Sequence, residues 1–139
     1  MAAGAARIAR RPVSDAIAYV LDSDAVIWHL RRRARTTALL RRLAEEGPLA
    51  VVSLTVYEVT VWARQEELAA THGLLESLVV LPVGAAEARL AAALARDRGP
   101  GLVDCHIAAA ALLRDVPLVT YNHRDFGRTG VLLYDTQPW

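Results

Sequence analysis

Lysine is missing from this chain: all sixteen of its basic residues are arginine. That absence removes several chemistries at once. There is no P-loop lysine to reach a nucleotide phosphate, none for a Schiff base, and none to steady an aspartyl phosphate. Cysteine is nearly missing too. The single Cys105 has no partner for an internal disulfide, which suits a reducing cytoplasm, and no second thiol for a zinc site. The four histidines, His29, His72, His106 and His123, show no zinc spacing, and His106 and His123 read as packing or loop residues. No apolar run approaches the ~20 residues of a membrane span. Residues 1–18 are rich in alanine and arginine and hold no hydrophobic segment ending in a cleavage site. A cytoplasmic protein without a membrane segment or secretory signal is therefore expected. No glycine-rich fingerprint follows the first apolar strand, so a dinucleotide site is not expected either.

What is present fits one globular domain. The 139 residues are 54% apolar and 22% charged, enough for a real core and too apolar for disorder. The net charge of +1 is unevenly spread. Residues 1–42 hold nine arginines and three acids, whereas residues 43–139 hold seven arginines and twelve acids. Residues 1–17 read as a flexible leader, in which Arg7, Arg10 and Arg11 need be no more than a frayed basic terminus. Residues 18–139 read as the folded domain.

The organising stretch is 19–27. Tyr19, Val20 and Leu21 form a short apolar strand that ends on Asp22, Ser23 and Asp24, and an apolar run resumes at Ala25. Helices are expected at 25–30 and from Thr36 or Thr37, as its cap, to the break at Gly47-Pro48. Strand two is 49–52. A helix starts near Ser53, a short helix lies at 74–78, and strand three is 79–83. Helices follow at 85–96 and roughly 103–114, separated by Gly99-Pro100-Gly101. Strand four is 117–121, and 131–134 is a candidate fifth. This alternation implies a mostly parallel sheet of four to five strands with helices on both faces, a three-layer α/β/α sandwich. In such sheets ligands sit just beyond the carboxyl ends of the strands.

Asp22 would stand at that edge. So would Glu58 in the helix after strand two, Asp104 in the first turn of the helix after the Gly-Pro-Gly break, and Asp125 in the loop after strand four. Each acid also has a local explanation. Asp24 reads as the cap of a helix starting near Ala25. Thr55-x-x-Glu58 matches a capping box, Asp104 suits any helix N-terminus, and Asp125 lies in a polar loop. If the four converge, two carboxylates ~4 Å apart repel by about 4 kcal/mol at an effective dielectric near 20. All four stay ionised only around a cation, and hard oxygen ligands select Mg²⁺ or Mn²⁺.

The segments 21–27, 53–58, 104–110 and 120–126 together resemble the signature segments of PIN-domain nucleases. The small size resembles the VapC-type toxins of bacterial toxin–antitoxin pairs. The likeness spans about residues 19–139. It implies that Asp22, Glu58, Asp104 and Asp125 form an acidic catalytic site, with Asp22 and Asp104 on the metal. Asn122 matches a polar residue near it, and Asp24 stands where the family often has asparagine. It further implies a PIN-like fold, a Mg²⁺-dependent endoribonuclease with Mn²⁺ as a substitute, a tRNA or rRNA substrate, an antitoxin partner and a homodimer. Arg31, Arg32, Arg33 and Arg35 are candidates for RNA or antitoxin contact, or a solvated helix face. Trp28, Trp62 and Trp139 are candidates for base stacking, although core packing is the simpler reading of Trp28 and Trp62. Two other classes compete. A haloacid-dehalogenase-like phosphatase would use Asp22-x-Asp24, but it needs a lysine. A non-catalytic PIN-like module would bind RNA or protein without cutting.

Overall fold

A computed structural model describes residues 6–8, 16–97 and 99–136. Four short strands, β1 (Tyr19–Leu21), β2 (Leu49–Val52), β3 (Val79–Leu81) and β4 (Leu118–Val119), form one sheet in the order β3-β2-β1-β4. Every pairing is parallel, with Val20 opposite both Ala50 and Leu118. The helices between them among the described residues are α1 (Ser23–Leu30), α2 (Ala34–Glu46), α3 (Ser53–Trp62), α4 (Leu68–Glu76), α5 (Ala85–Arg96), α6 (Leu102–Arg114) and the one-turn α7 (His123–Phe126). A 3₁₀ turn, Gln65–Glu67, links α3 to α4. Only parallel crossovers of this kind keep each strand start at one edge and each strand end at the other.

The strands are continuous apolar runs because both faces of the sheet are covered. Leu21, Val51 and Val119 point into one core with Ala25, Val26, Leu40, Leu43, Leu74 and Leu75. Their neighbours Val20, Ala50, Val52 and Leu118 point into the other, against Ile107, Ala108, Ala110 and Ala111 of α6. Period-two alternation thus feeds two cores at once, and the three-layer α/β/α arrangement follows. Each fully buried Leu or Val contributes ~1.5–3 kcal/mol through apolar burial. α5 packs outside α6 through the small residues Ala91, Cys105 and Ala109.

Several local expectations are corrected. α1 begins at Ser23 and is capped by Asp22, not Asp24. α2 begins at Ala34 with no side-chain cap, because Thr36 and Thr37 are engaged elsewhere: Thr36 bonds the Tyr121 hydroxyl and Thr37 bonds His29. β3 ends at Leu81, just before Pro82. The helix expected at 74–78 runs instead from Leu68 to Glu76. The candidate fifth strand reduces to one parallel bridge, Leu118 to Leu133. Trp62 is 81% exposed, so it is not a core residue.

Within the segment expected to be a flexible leader, residues 6–8 are built into the domain. Ala6 and Ile8 are buried in the first core. The Ile8 N–H donates to Ser77 Oγ (2.9 Å), and Arg7 pairs with Glu76 (3.0 Å). The Ala6 carbonyl lies 3.0 Å from His29 Nε2. A carbonyl only accepts, so His29 carries its proton on Nε2 and accepts from the Thr37 hydroxyl on Nδ1. Arg10, Arg11 and Trp139 lie outside the described residues.

Candidate metal centre

The strand ends decide what meets here. β1 runs into Asp22 and β4 into Thr120, and the pairing of Leu21 with Val119 brings those next residues side by side. Asp22 is buried, with 5% exposure, yet both its oxygens are engaged. Oδ1 accepts the Ser23 N–H at 2.7 Å, and Oδ2 accepts the Thr120 hydroxyl at 2.6 Å. Capping and function are therefore not alternatives for Asp22. One carboxyl oxygen caps α1, and that cap fixes the direction of the other.

Asp24, the second residue of α1, is half-buried. Its Oδ2 accepts the Tyr121 N–H at 3.0 Å, while its Oδ1 is buried with no hydrogen-bond partner. Burial and the neighbouring Asp22 push its carboxyl up to about 7. Asp22 is also raised, chiefly by burial, against the opposing pull of Thr120 and Ser23.

Asp104 is the third residue of α6. Burial, then the charges of Asp22, Glu58 and Asp125, raise it to about 6. A helix N-terminus alone would favour its ionised form, so the neighbouring acids and burial dominate. Asp104 thus feels all three of the other acids, and Asp22 feels Glu58. The four expected acids, from four different elements, share one electrostatic patch.

Glu58 is not the capping-box acid the sequence suggested. α3 starts at Ser53 with no side-chain cap, which puts Glu58 in the second turn, and the Thr55 hydroxyl is buried without a partner. Asp125 is exposed in α7, where Asn122 caps the helix. The Asn122 amide donates to Asp125 Oδ2 at 2.9 Å. Asn122 thereby holds Asp125 in place.

Among the described residues, none of the four acids is paired with an arginine. Nor, among them, do any three His, Cys, Asp or Glu side chains close on a single point that could hold an ion. The acids ring a patch rather than form a finished cage. A hard divalent cation held through one or two carboxylates and otherwise by water needs no all-protein shell. The orphaned Asp24 oxygen and the all-carboxylate donor set fit such a cation.

Two features escaped sequence reading. Thr120 is fully buried and donates to Asp22 while accepting the Asn122 N–H at 2.9 Å. In the sequence it looks like the β-prone end of a strand. Thr136 ties the C-terminal segment to the same loop, donating to the Thr120 carbonyl at 2.8 Å with His123 Nε2 at 2.9 Å. The arginines are spread differently. Arg31, Arg32, Arg33 and Arg35 are exposed, and the guanidiniums of Arg31 and Arg33 lie 5.7 and 4.5 Å from the Trp28 ring. Trp28 is half-buried beneath them, neither core nor free platform.

Comparison with known proteins agrees with this geometry. Residues 19–132 match the PIN-domain family model. Ribonuclease VapC19 of Mycobacterium tuberculosis is 33% identical over 113 residues, 77% of this chain and 90% of that protein. Among solved structures, a toxin–antitoxin complex from Klebsiella pneumoniae superposes with a TM-score of 0.75 at 22% identity. It covers 87% of this chain and all of that one. A DNA-bound VapBC from Salmonella typhimurium gives 0.71 at 25% identity, over 84% and 96%. VapC ribonucleases with PIN domains depend in general on a divalent metal, which the carboxylate patch fits, and the match leaves no room for the phosphatase alternative. The segments that carry Asp22, Glu58, Asp104 and Asp125 all lie inside the matched residues, and the chain belongs to the PIN-domain family.

Proposed function

We propose that this chain is a Mg²⁺-dependent endoribonuclease acting as the toxin of a toxin–antitoxin pair, with Mn²⁺ as a substitute. The observation that carries the reading is the patch of Asp22, Glu58, Asp104 and Asp125, unpaired with arginine, at the carboxyl edge of a PIN-domain sheet. The identity to Ribonuclease VapC19 and the likeness to toxin–antitoxin complexes support the biological setting. The substrate class is tRNA or rRNA, and the compartment is the cytoplasm. No helix among the described residues is long and apolar enough to cross a membrane. An antitoxin and a second copy of the chain are the proposed partners, for which the exposed Tyr57, Val61 and Trp62 of α3 offer apolar surface.

Asp22 and Asp104 would hold the cation. When bound, a hard divalent ion supplies a more acidic water and offsets charge building on a phosphoryl oxygen. The remaining work falls to this chain's own side chains. Ser23 N–H and Thr120 Oγ1 fix Asp22, so its geometry is set before substrate arrives. One of Glu58 and Asp125 accepts the proton of the attacking water as its oxygen bonds to phosphorus, and the departing sugar oxygen leaves with a proton from solvent. Asn122 keeps Asp125 turned to the patch. Asp24, poised near 7, holds or releases one proton according to whether charge nearby is neutralised.

The test is cleavage of RNA with Mg²⁺, with EDTA and Asp22→Asn as controls. Equal cleavage by the variant, or full activity in EDTA, would sink the reading. Intact RNA under all conditions would leave a non-catalytic PIN module.

A further inference from the structure

Beside the acid patch lies a groove of about 670 Å³, bounded by α2, the loop after β4 and the C-terminal segment. We infer that this groove is the binding site for the single-stranded RNA flanking the bond to be cut, with Arg35 and Arg42 on phosphates and Tyr121 and Tyr134 beside bases. The inference rests on the ribonuclease reading and extends it to how substrate is held.

The groove is continuous with the proposed chemistry. Tyr121 lines it, and the N–H of that residue donates to Asp24 Oδ2 (3.0 Å). Thr136, also in the wall, donates to the carbonyl of Thr120, whose hydroxyl holds Asp22. These bonds tie the groove wall to Asp24 and, through Thr120, to Asp22. The charge is suited to a polyanion. Arg35 and Arg42 are seven residues apart on α2, hence on one face and about 10 Å apart along the axis. That length accommodates two or three stacked nucleotides at ~3.4 Å each.

The rings are held rather than loose. The Tyr134 hydroxyl takes a 2.7 Å hydrogen bond from Arg42 Nη2, and its ring meets Tyr19 edge-on at 5.7 Å. The Tyr121 hydroxyl lies 2.9 Å from Thr36 Oγ1. Preset aromatic rings beside guanidiniums are the means by which single strands are bound with little sequence preference. The acid patch alone would repel RNA, so a cationic approach beside it is what substrate capture requires. One wall residue opposes this: Asp135 is an exposed carboxylate at the same groove. Its charge weakens phosphate binding and gives the proposal a signature of opposite sign.

The test pairs these signs. Anisotropy of a fluorescein-labelled, mixed-sequence single-stranded RNA oligonucleotide is read in EDTA over a salt series, and KM and kcat are read on the same oligonucleotide with Mg²⁺. Arg42→Gln weakens binding roughly five- to tenfold and lowers the salt slope by about 0.7. It raises KM with kcat nearly unchanged. Arg42→Lys retains most of the affinity, Tyr134→Phe is intermediate, and Asp135→Asn tightens binding. Thermal melting excludes unfolding as the cause. Unchanged affinity and KM in Arg42→Gln and Asp135→Asn would overturn the proposal. So would an effect confined to the oligomeric state by light scattering, which would make the groove a protein contact. The two readings fail separately: a wild type that leaves RNA intact sinks the ribonuclease, whereas anisotropy decides the groove whether or not the wild type cuts.

Discussion

At the scale of single residues, Asp22 concentrates the most consequences in one side chain. It caps a helix, ends a strand and faces the acid patch, so removing its charge should separate stability from activity. Asp22→Asn can still accept the Thr120 hydroxyl or the Ser23 N–H through its amide oxygen and relieves repulsion with Glu58. We expect a melting temperature at or above wild type together with a loss of RNA cleavage of at least ~100-fold, read by gel assay with Mg²⁺. Thr120→Val makes the complementary case. It keeps the strand end filled but removes the 2.6 Å hydrogen bond that aims Oδ2, so kcat should fall ~10-fold or more with little change in KM. If Thr120→Val cut RNA as well as wild type, the hydroxyl would be structural only. The four acids stood out in the sequence through the likeness of their segments to PIN-domain signatures, since singly each also read as a cap, a helix-start acid or a loop residue. Thr120 was not legible, because a threonine at the end of a buried strand is ordinary strand composition. The capping pattern at Thr55 and Glu58 misled for a related reason: it fits a helix beginning three residues later than α3 does.

At the scale of elements, the placement of Asp104 depends on how α6 is joined to α5. The chain turns through Gly99, whose N–H donates to the Leu94 carbonyl at 2.9 Å. A Cβ there would sit 2.4 Å from that same carbonyl oxygen, which real structures do not tolerate. Gly99→Ala should therefore force the turn open, loosen the Ala91/Cys105/Ala109 packing and shift the first turn of α6 that carries Asp104. The expected cost is ~1–3 kcal/mol, seen as a melting temperature lower by roughly 3–10 °C, with cleavage reduced beyond what unfolding explains. Unchanged melting and activity would mean the turn adapts freely. Strand positions and the long alanine-rich helices were readable from apolar runs and helical spacing, since both faces of the sheet demand them. What the pattern could not give was the start of α2. Its threonines looked like caps, but tertiary partners claimed them: Thr36 for Tyr121 and Thr37 for His29. The exposure of Trp62 was likewise invisible, because an aromatic on an apolar helix reads the same whether it meets a core or a partner chain.

At the scale of the whole molecule, protons, cation and stability are linked through the carboxyl patch. Asp24 and Asp104 ordinarily titrate near 3.8 and are raised to about 7 and about 6 in the fold, and Asp22 is raised as well. Between the unfolded and folded values the native state binds more protons than the unfolded chain. Their contribution to stability is therefore complete below about 3.8 and is lost as pH rises through 6 and 7. His29 acts in the opposite sense. Burial lowers it from 6.5, so its contribution is complete above 6.5 and is lost as pH falls through its folded value. One imidazole opposes three carboxyls, so the metal-free protein should melt at a lower temperature at pH 7.5 than at pH 5.5, and Asp24→Asn should flatten that decline. A divalent cation binds only the ionised carboxylates and displaces their protons. Millimolar Mg²⁺ should then raise the melting temperature at pH 7.5, following RT ln(1 + [L]/Kd), and do little at pH 5.5. Calorimetry run in buffers of different ionisation enthalpy should register release of protons as the metal binds. A metal-free protein whose stability rises from pH 5.5 to 7.5, or one indifferent to Mg²⁺ at both, would show that the acids are neutralised by the fold itself and need no cation.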